Sequence, residues 1–141
     1  MTITEANRME PALLGAFERL MPQLSANHPP PTAEALGALI DSPSRLLLAI
    51  DEHDEILGTA TLSVFRIPSG LRCRIEDVVV DQSARGQGVG AALTEKALLL
   101  AREMGAPGVD LTSNPQRKAA NRLYQRLGFE PRETNLYRYQ F

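Results

Sequence analysis

The sequence predicts an α/β fold: a mixed, mostly antiparallel sheet flanked by about four helices. Apolar residues repeat at helical spacing in two stretches, cap and stop residues mark two further helices, and β-rich apolar runs lie between them. Proline and glycine fall between these periodic segments, as turn signals should in a compact domain. A glycine-rich turn also joins a Val-rich run to a long amphipathic stretch, the junction of a strand with a helix.

Taken in order, Thr2 to Ala6 reads as a short first strand. From Met9 to Leu24 the apolar residues Leu13, Phe17, Leu20 and Leu24 mark one face of a helix. Three prolines in succession after His28 break it. Thr32, three residues before Ala35, is placed to cap a second helix running to Ile40. Arg45 to Asp51 and Ile56 to Ile67 read as strands joined by the acidic turn Glu52 to Glu55. Pro68, Ser69 and Gly70 turn the chain into a third strand, Arg72 to Val80. The period then changes: Val89, Leu93, Ala97, Leu100 and Met104 mark a long helix, with Gly105 at its C-terminal cap. Val109 to Thr112 is a short strand. Asn114 and Pro115 are the cap and first residue of a helix to Leu127, which Gly128 ends. Tyr137 to Phe141 alternates as a closing strand.

A length of 141 residues fits one domain spanning 1–141. A net charge of −2 offers no electrostatic argument for nucleic acid or an anionic membrane as partner. The longest apolar runs, Leu46 to Ile50 and Ala97 to Ala101, fall far short of the roughly 20 residues of a membrane span. Without a signal-like N-terminus, a cytoplasmic location is the default. The lone Cys73 excludes an internal disulfide, and with only His28 and His53 no metal-ligand cluster forms, so no metal is expected. Cys73 reads as a strand residue, His53 as a turn residue and His28 as a candidate contact at the border of an acceptor pocket.

The sharpest signal runs from Ile75-Glu76-Asp77-Val78-Val79-Val80-Asp81 through Arg85-Gly86-Gln87-Gly88-Val89-Gly90 into the long helix. Such a turn presents backbone N–H groups at the positive end of a helix dipole, where an anion is well received. Glycine lets the backbone approach that anion closely. The pattern lacks the Gly-Lys-Ser/Thr of a Walker A loop and the Gly-x-Gly-x-x-Gly of a dinucleotide fingerprint.

Arg-x-x-Gly-x-Gly after a Val-rich strand resembles the acyl-CoA signature of the GNAT superfamily of N-acetyltransferases. The stretch Ala119 to Phe129, with Tyr124 on a helix that ends at Gly128-Phe129, resembles the C-terminal motif of the same superfamily. The resemblance is specific from about Ile75 to Phe129. It implies a central sheet of six to seven strands and acetyl-CoA as co-substrate, with an amine as acceptor. It further implies cofactor contacts from Val78, Val79, Val80, Arg85, Gly86, Gln87, Gly88, Val89, Gly90, Ala91, Asn114, Arg117, Asn121 and Tyr124. Many members carry asparagine where this chain has Arg117; Asn121, one turn on, is a candidate replacement, while Lys118 and Arg122 are candidate phosphate contacts.

Transfer to an amine needs the neutral base, and deprotonating an amine of pKa about 10.4 at neutral pH costs about 4–5 kcal/mol. A proton acceptor is therefore useful. Glu76 is favoured over Asp77 because, by strand alternation, it shares a face with Val78 and Val80 unless a bulge intervenes. Tyr124 is the expected acid for the departing thiolate. The Ile-Glu-Asp-Val strand is similar to that of glucosamine-phosphate acetyltransferases, so a small-molecule acceptor is expected. A protein N-terminus or lysine is the alternative, as is a non-catalytic acyl-CoA-binding regulatory module. Exposed strand edges near the C-terminus suggest a homodimer.

Overall fold

The computed structural model describes residues 1–141. Its elements run β1 (Thr2–Glu5), α1 (Pro11–Leu24), α2 (Ala33–Asp41), β2 (Arg45–Ile50), β3 (Ile56–Ile67), β4 (Gly70–Val80), a 3₁₀ turn (Gln82–Ala84), α3 (Val89–Glu103), β5 (Val109–Asp110) and α4 (Lys118–Arg126). One sheet has the order β1-β2-β3-β4-β5, antiparallel except for the parallel pair β4 and β5.

Local chemistry accounts for the element boundaries. Pro11 stands at the start of α1, where its missing N–H costs nothing. Thr32 Oγ1 accepts the Ala35 N–H at 3.1 Å, the expected cap of α2. The acidic turn between β2 and β3 closes on Asp51, whose Oδ1 accepts the N–H groups of His53 and Glu55 at 2.8 and 2.9 Å. Gly105 follows the end of α3 with φ of 84°, a conformation in which glycine carries no Cβ penalty.

The strand alternation of β2 divides the interior into two cores. Leu47 and Ala49 face α3 together with Ala60, Leu62, Cys73, Ile75, Leu93 and Ala97. Leu46 and Leu48 face α1 and α2, against Leu13, Phe17, Leu20 and Leu36. Each buried leucine contributes about 1.5–3 kcal/mol. The sheet is thus covered on both faces, which fixes the position of the start of α3.

Three expectations are corrected. The sheet has five strands, where six to seven were expected, because residues 137–141 pair with no strand of the chain. The fifth strand covers two residues, not four. The last helix starts at Lys118, after the predicted cap at Asn114. There Asn114 Oδ1 accepts the Gln116 N–H at 2.9 Å, a local side-chain turn that competes with helix formation.

A bulge interrupts the pairing of β3 with β4. Thr59 pairs with Val79 and Thr61 with Glu76, so Asp77 and Val78 together oppose Ala60. Asp77 takes the extra residue's bend at φ of 50°, a left-handed conformation that aspartate tolerates better than most side chains. The bulge also inverts the alternation of β4. Cys73 and Ile75 lie in the core under α3 before it, and Val78 and Val80 pack on that same core after it. Glu76 therefore does not share a face with Val78 and Val80. The bulge that the alternation rule reserves as its exception is present.

Candidate active site

At the end of β4 the chain enters a turn anchored from several directions. Asp81 Oδ1 caps the 3₁₀ turn by accepting the Ser83 N–H and Oγ–H, each at 3.0 Å. Its Oδ2 accepts Arg19 Nε at 2.8 Å, while Arg19 Nη2 donates to the Ile56 carbonyl at 2.6 Å. The Gln82 N–H donates to Gln23 Oε1 at 2.8 Å. Helix α1 thus holds the mouth of the turn. The Ser83 N–H holds the Asp81 carboxyl below its ordinary range, and Arg19 adds to the effect against the opposing influence of burial. Sequence inspection missed Arg19, Gln23 and Asp81 as anchors, since partners 62 and 59 residues apart leave no local pattern.

Two of the three glycines of the turn are required by the backbone. Gly86 and Gly88 have φ of 77° and 81°, and a Cβ at either would meet no protein atom within 4 Å. Their backbone conformation, not crowding, requires glycine. Gly90 has no such strain, and its Cβ would lie 3.4 Å from Leu123 and 3.8 Å from Val80. Those are ordinary contact distances, so neither backbone nor packing demands glycine at 90. Gly88 caps α3, and the first bond of the helix ladder runs from the Ala92 N–H to the Gly88 carbonyl at 3.0 Å. The N–H groups of Val89, Gly90 and Ala91 precede that bond and are the unpaired donors of a helix N-terminus. They point an array of positive dipole ends outward from the turn. Arg85 and Gln87 are exposed on the same turn, with Arg85 Nε 3.4 Å from the Val80 carbonyl.

Alongside, the two sides of β4 part company. Strand β5 pairs with it only at Cys73 and Arg74. From Ile75 onward, the backbone groups of β4 that point away from β3 have no strand partner. A bound chain with amide groups finds hydrogen-bonding capacity there without any contribution from side chains.

This open edge leads to a cavity of about 180 Å³ lined by Leu24, Ile75, Glu76, Asp77, Val78, Leu111, Thr112, Arg117 and Tyr124. Both candidate bases and the candidate acid therefore face one space. Glu76 Oε1 accepts Arg74 Nε at 2.9 Å and its side chain is half exposed, leaving Oε2 for another partner. Tyr124 is buried, with its ring edge-on to Phe129 at 5.8 Å, and its carbonyl accepts the Phe129 N–H at 2.9 Å. Gly128 and Phe129 thus hold the tyrosine from behind. Burial pushes its phenol upward from the ordinary value, opposed by the nearby charge of Arg117. A phenol that stays protonated can donate.

Other predicted residues separate from this group. Asn121 Nδ2 donates to the carbonyls of Asn114 and Arg117 at 2.9 and 2.8 Å, so its amide nitrogen ties down the loop before α4. Asn114 accepts that bond and shapes the same loop. Lys118 and Arg122 are exposed on α4. Cys73 is buried and free in the core, and burial raises its thiol pKa, as expected for a structural residue. His28 Nδ1 lies 3.1 Å from Ser25 Oγ in the loop between α1 and α2, and His53 is exposed in its turn. Gly58 was not singled out from sequence: a Cβ there would lie 2.8 Å from the Val79 carbonyl, so glycine lets β3 meet β4 beside the bulge.

The fold and site together define an α/β protein with a glycine turn at a helix N-terminus, an unzipped strand edge and a small pocket lined by two carboxylates and a tyrosine. Residues 13–129 match the family model described as "Acetyltransferase (GNAT) family", and the chain belongs to that family. A mycothiol acetyltransferase of Salinispora tropica is 34% identical over 113 residues, covering 74% of this chain and 37% of that protein. A streptothricin acetyltransferase of Streptomyces lavendulae is 33% identical over 89 residues, covering 63% of this chain and 46% of that one. The chain spans between 25% and 46% of the length of the curated relatives it matches. Among solved structures, AAC(6′)-Iy in complex with the bisubstrate analogue CoA-S-monomethyl-acetylneamine superposes with a TM-score of 0.79 at 21% identity, covering 99% of this chain and 98% of that one. That likeness is one of fold.

Proposed function

We propose that the protein is an N-acetyltransferase that moves the acetyl group of acetyl-CoA directly to the amine of a small molecule. The observation that carries this reading is the alignment of three features on β4. The glycine turn fits a pyrophosphate, the unpaired edge fits an amide-bearing arm, and the edge ends at the cavity shared by Glu76, Asp77 and Tyr124. The residues present fit the co-substrate: open space above Gly86 and Gly88 receives the anion, and Val78 to Val80 lie on the unpaired edge.

In this account Glu76 takes the proton of the attacking ammonium, directly or through a water, with Asp77 as the neighbouring carboxylate. The amine nitrogen bonds to the thioester carbon while the carbon–sulfur bond breaks, and the second proton that the nitrogen sheds on becoming an amide goes to solvent. A backbone N–H near Val78 polarises the carbonyl oxygen, as an oxyanion hole does. Tyr124 gives its phenolic proton to the departing thiolate and recovers one from solvent. Acetylated amine and free CoA leave, and the proton taken by Glu76 returns to water.

A small acceptor is supported by the 180 Å³ of the cavity and by relatives named for mycothiol and streptothricin. On the same reading the chain is a single domain acting in the cytoplasm as a homodimer, without nucleic acid or membrane partners. The test is thiol release from acetyl-CoA across a panel of amines. Acceptor-dependent release that fails in Tyr124→Phe supports the proposal. Saturable acetyl-CoA binding with no release for any small amine, or release only with peptides, would replace it with the regulatory or protein-acceptor reading.

A further inference from the structure

One step back along β4 from the proposed base stands Arg74. Residues two apart on a strand share a face and lie about 7 Å apart, so Arg74 and Glu76 are neighbours on one side of β4. Arg74 Nε donates to Glu76 Oε1 at 2.9 Å, and the two side chains are 31% and 45% exposed. That bond occupies one side of the guanidinium. The two Nη groups of Arg74 make no hydrogen bond or ion pair within the chain.

Other arginines of the sheet and its helices are committed. Arg72 uses Nη1 on the Leu71 carbonyl at 3.1 Å and Nη2 on Ser69 Oγ at 2.8 Å. Arg19 Nη2 is held by the Ile56 carbonyl, and Arg45 Nη1 by Glu5. Of these four, Arg74 alone keeps both Nη groups free, and its Nε bond to Glu76 fixes the plane in which they lie. The free end of a guanidinium receives a carboxylate or a phosphate through two parallel hydrogen bonds.

The fork end is also well placed. Arg74 stands in the wall of a cavity of about 990 Å³, which shares Leu111, Thr112 and Tyr124 with the 180 Å³ cavity that Glu76 lines. The two spaces therefore adjoin beside β5. Asp110, the cross-strand partner of Arg74, and Glu130 line the larger cavity as well, and neither forms an ion pair with Arg74.

The geometry points to Arg74 as the anchor of the acceptor: the small amine carries an acidic group, a carboxylate or a phosphate, which the two Nη groups of Arg74 hold while the amine meets Glu76. This substrate class rests on the proposed function and deepens it. An ammonium and an acid on one molecule complement the Glu76–Arg74 pair charge for charge. The order along β4 sets the direction, with the acid end at Arg74 and the amine end toward Val78, where the thioester carbonyl is polarised. A neutral amine leaves the fork end without its partner, so Arg74 selects among acceptors.

The test runs the panel of amines as matched pairs that differ only in an acid group, among them β-alanine with β-alaninamide and phosphoethanolamine with ethanolamine. Wild type is expected to favour the acid-bearing members of one series by about 10- to 100-fold in kcat/KM, the scale of hydrogen bonds to a charged group. Which series responds separates carboxylate from phosphate. Arg74→Gln should abolish the preference through the KM of the acidic member, and Arg74→Lys should retain part of it, since the charge remains without the fork. Equal slowing of both members in a folded Arg74→Gln protein would reduce Arg74 to a support for Glu76 and overturn the inference. If Arg74→Gln loses its circular dichroism spectrum, Arg74→Lys carries the decision, an undiminished preference contradicting the fork. Turnover without any preference for acidic amines would overturn the inference and leave the proposed function standing. No release with any amine would overturn both.

Discussion

The two edges of β4 have opposite characters. On one side it pairs with β3 along nearly its whole length, interrupted only by the bulge. On the other it meets β5 at two residues and then runs free. The paired edge builds the cores on both faces, and the free edge offers backbone groups to a ligand. In the proposed function one strand thus serves as scaffold and site, and the bulge at Asp77 lies at the changeover. The difference teaches that, on the proposed function, activity depends on where pairing stops.

The largest effect that would sharpen the contrast is on catalysis. Tyr124→Phe keeps the ring against Phe129 and removes the proton donor, so kcat should fall by about 10²- to 10⁴-fold while the unfolding midpoint barely moves. An equal loss of stability would recast the tyrosine as a packing residue. On the paired side the expectation reverses. Leu93→Ala, at a site with no exposure, should cost about 2–5 kcal/mol in urea unfolding and leave acetyl-CoA affinity per folded molecule unchanged.

Gly88→Val comes next. It forces a β-branched residue to φ of 81° and places methyl groups over the unpaired donors, so acetyl-CoA affinity should drop at least tenfold, by calorimetry on a folded variant. Smaller still is Asp81→Ala, which removes the cap of the 3₁₀ turn and the partner of Arg19. A loss of about 0.5–2 kcal/mol is expected. Because folding lowers the Asp81 pKa, its contribution is present above the ordinary carboxylate value and is lost as the pH falls through the folded value. The gap between wild type and variant should therefore narrow in acid, and a constant gap would contradict the assignment. Tyr124 has the opposite sign: its raised pKa makes stability fall as the pH rises past about 10, a slope that Tyr124→Phe should lack.

The paired side was legible in the sequence because local patterns dictate it. β-rich apolar runs between turn residues located β2 to β4, the period of 3.6 located α1 and α3, and Thr32 declared its cap. The glycine turn was also legible, since Gly86 and Gly88 are needed by the backbone itself. The free edge was not. The bulge at Asp77 inverts the facing of Glu76 relative to Val78 through a pairing decision with β3, which no short-range pattern records. The Arg19 and Gln23 anchors depend on helix α1 docking 60 or so residues away in sequence. Tyr137 to Phe141 has the pattern of a strand but no neighbour in its own chain, and alternation alone does not supply one.

The most direct measurement is a calorimetric titration of the purified chain with acetyl-CoA, run beside ATP and beside Gly88→Val. Saturable binding near one site per chain is expected, with ATP giving none and the variant at least tenfold weaker. Absence of acetyl-CoA binding, or equal affinity for ATP, would contradict the claim that the glycine turn and the free edge of β4 form an acyl-CoA site.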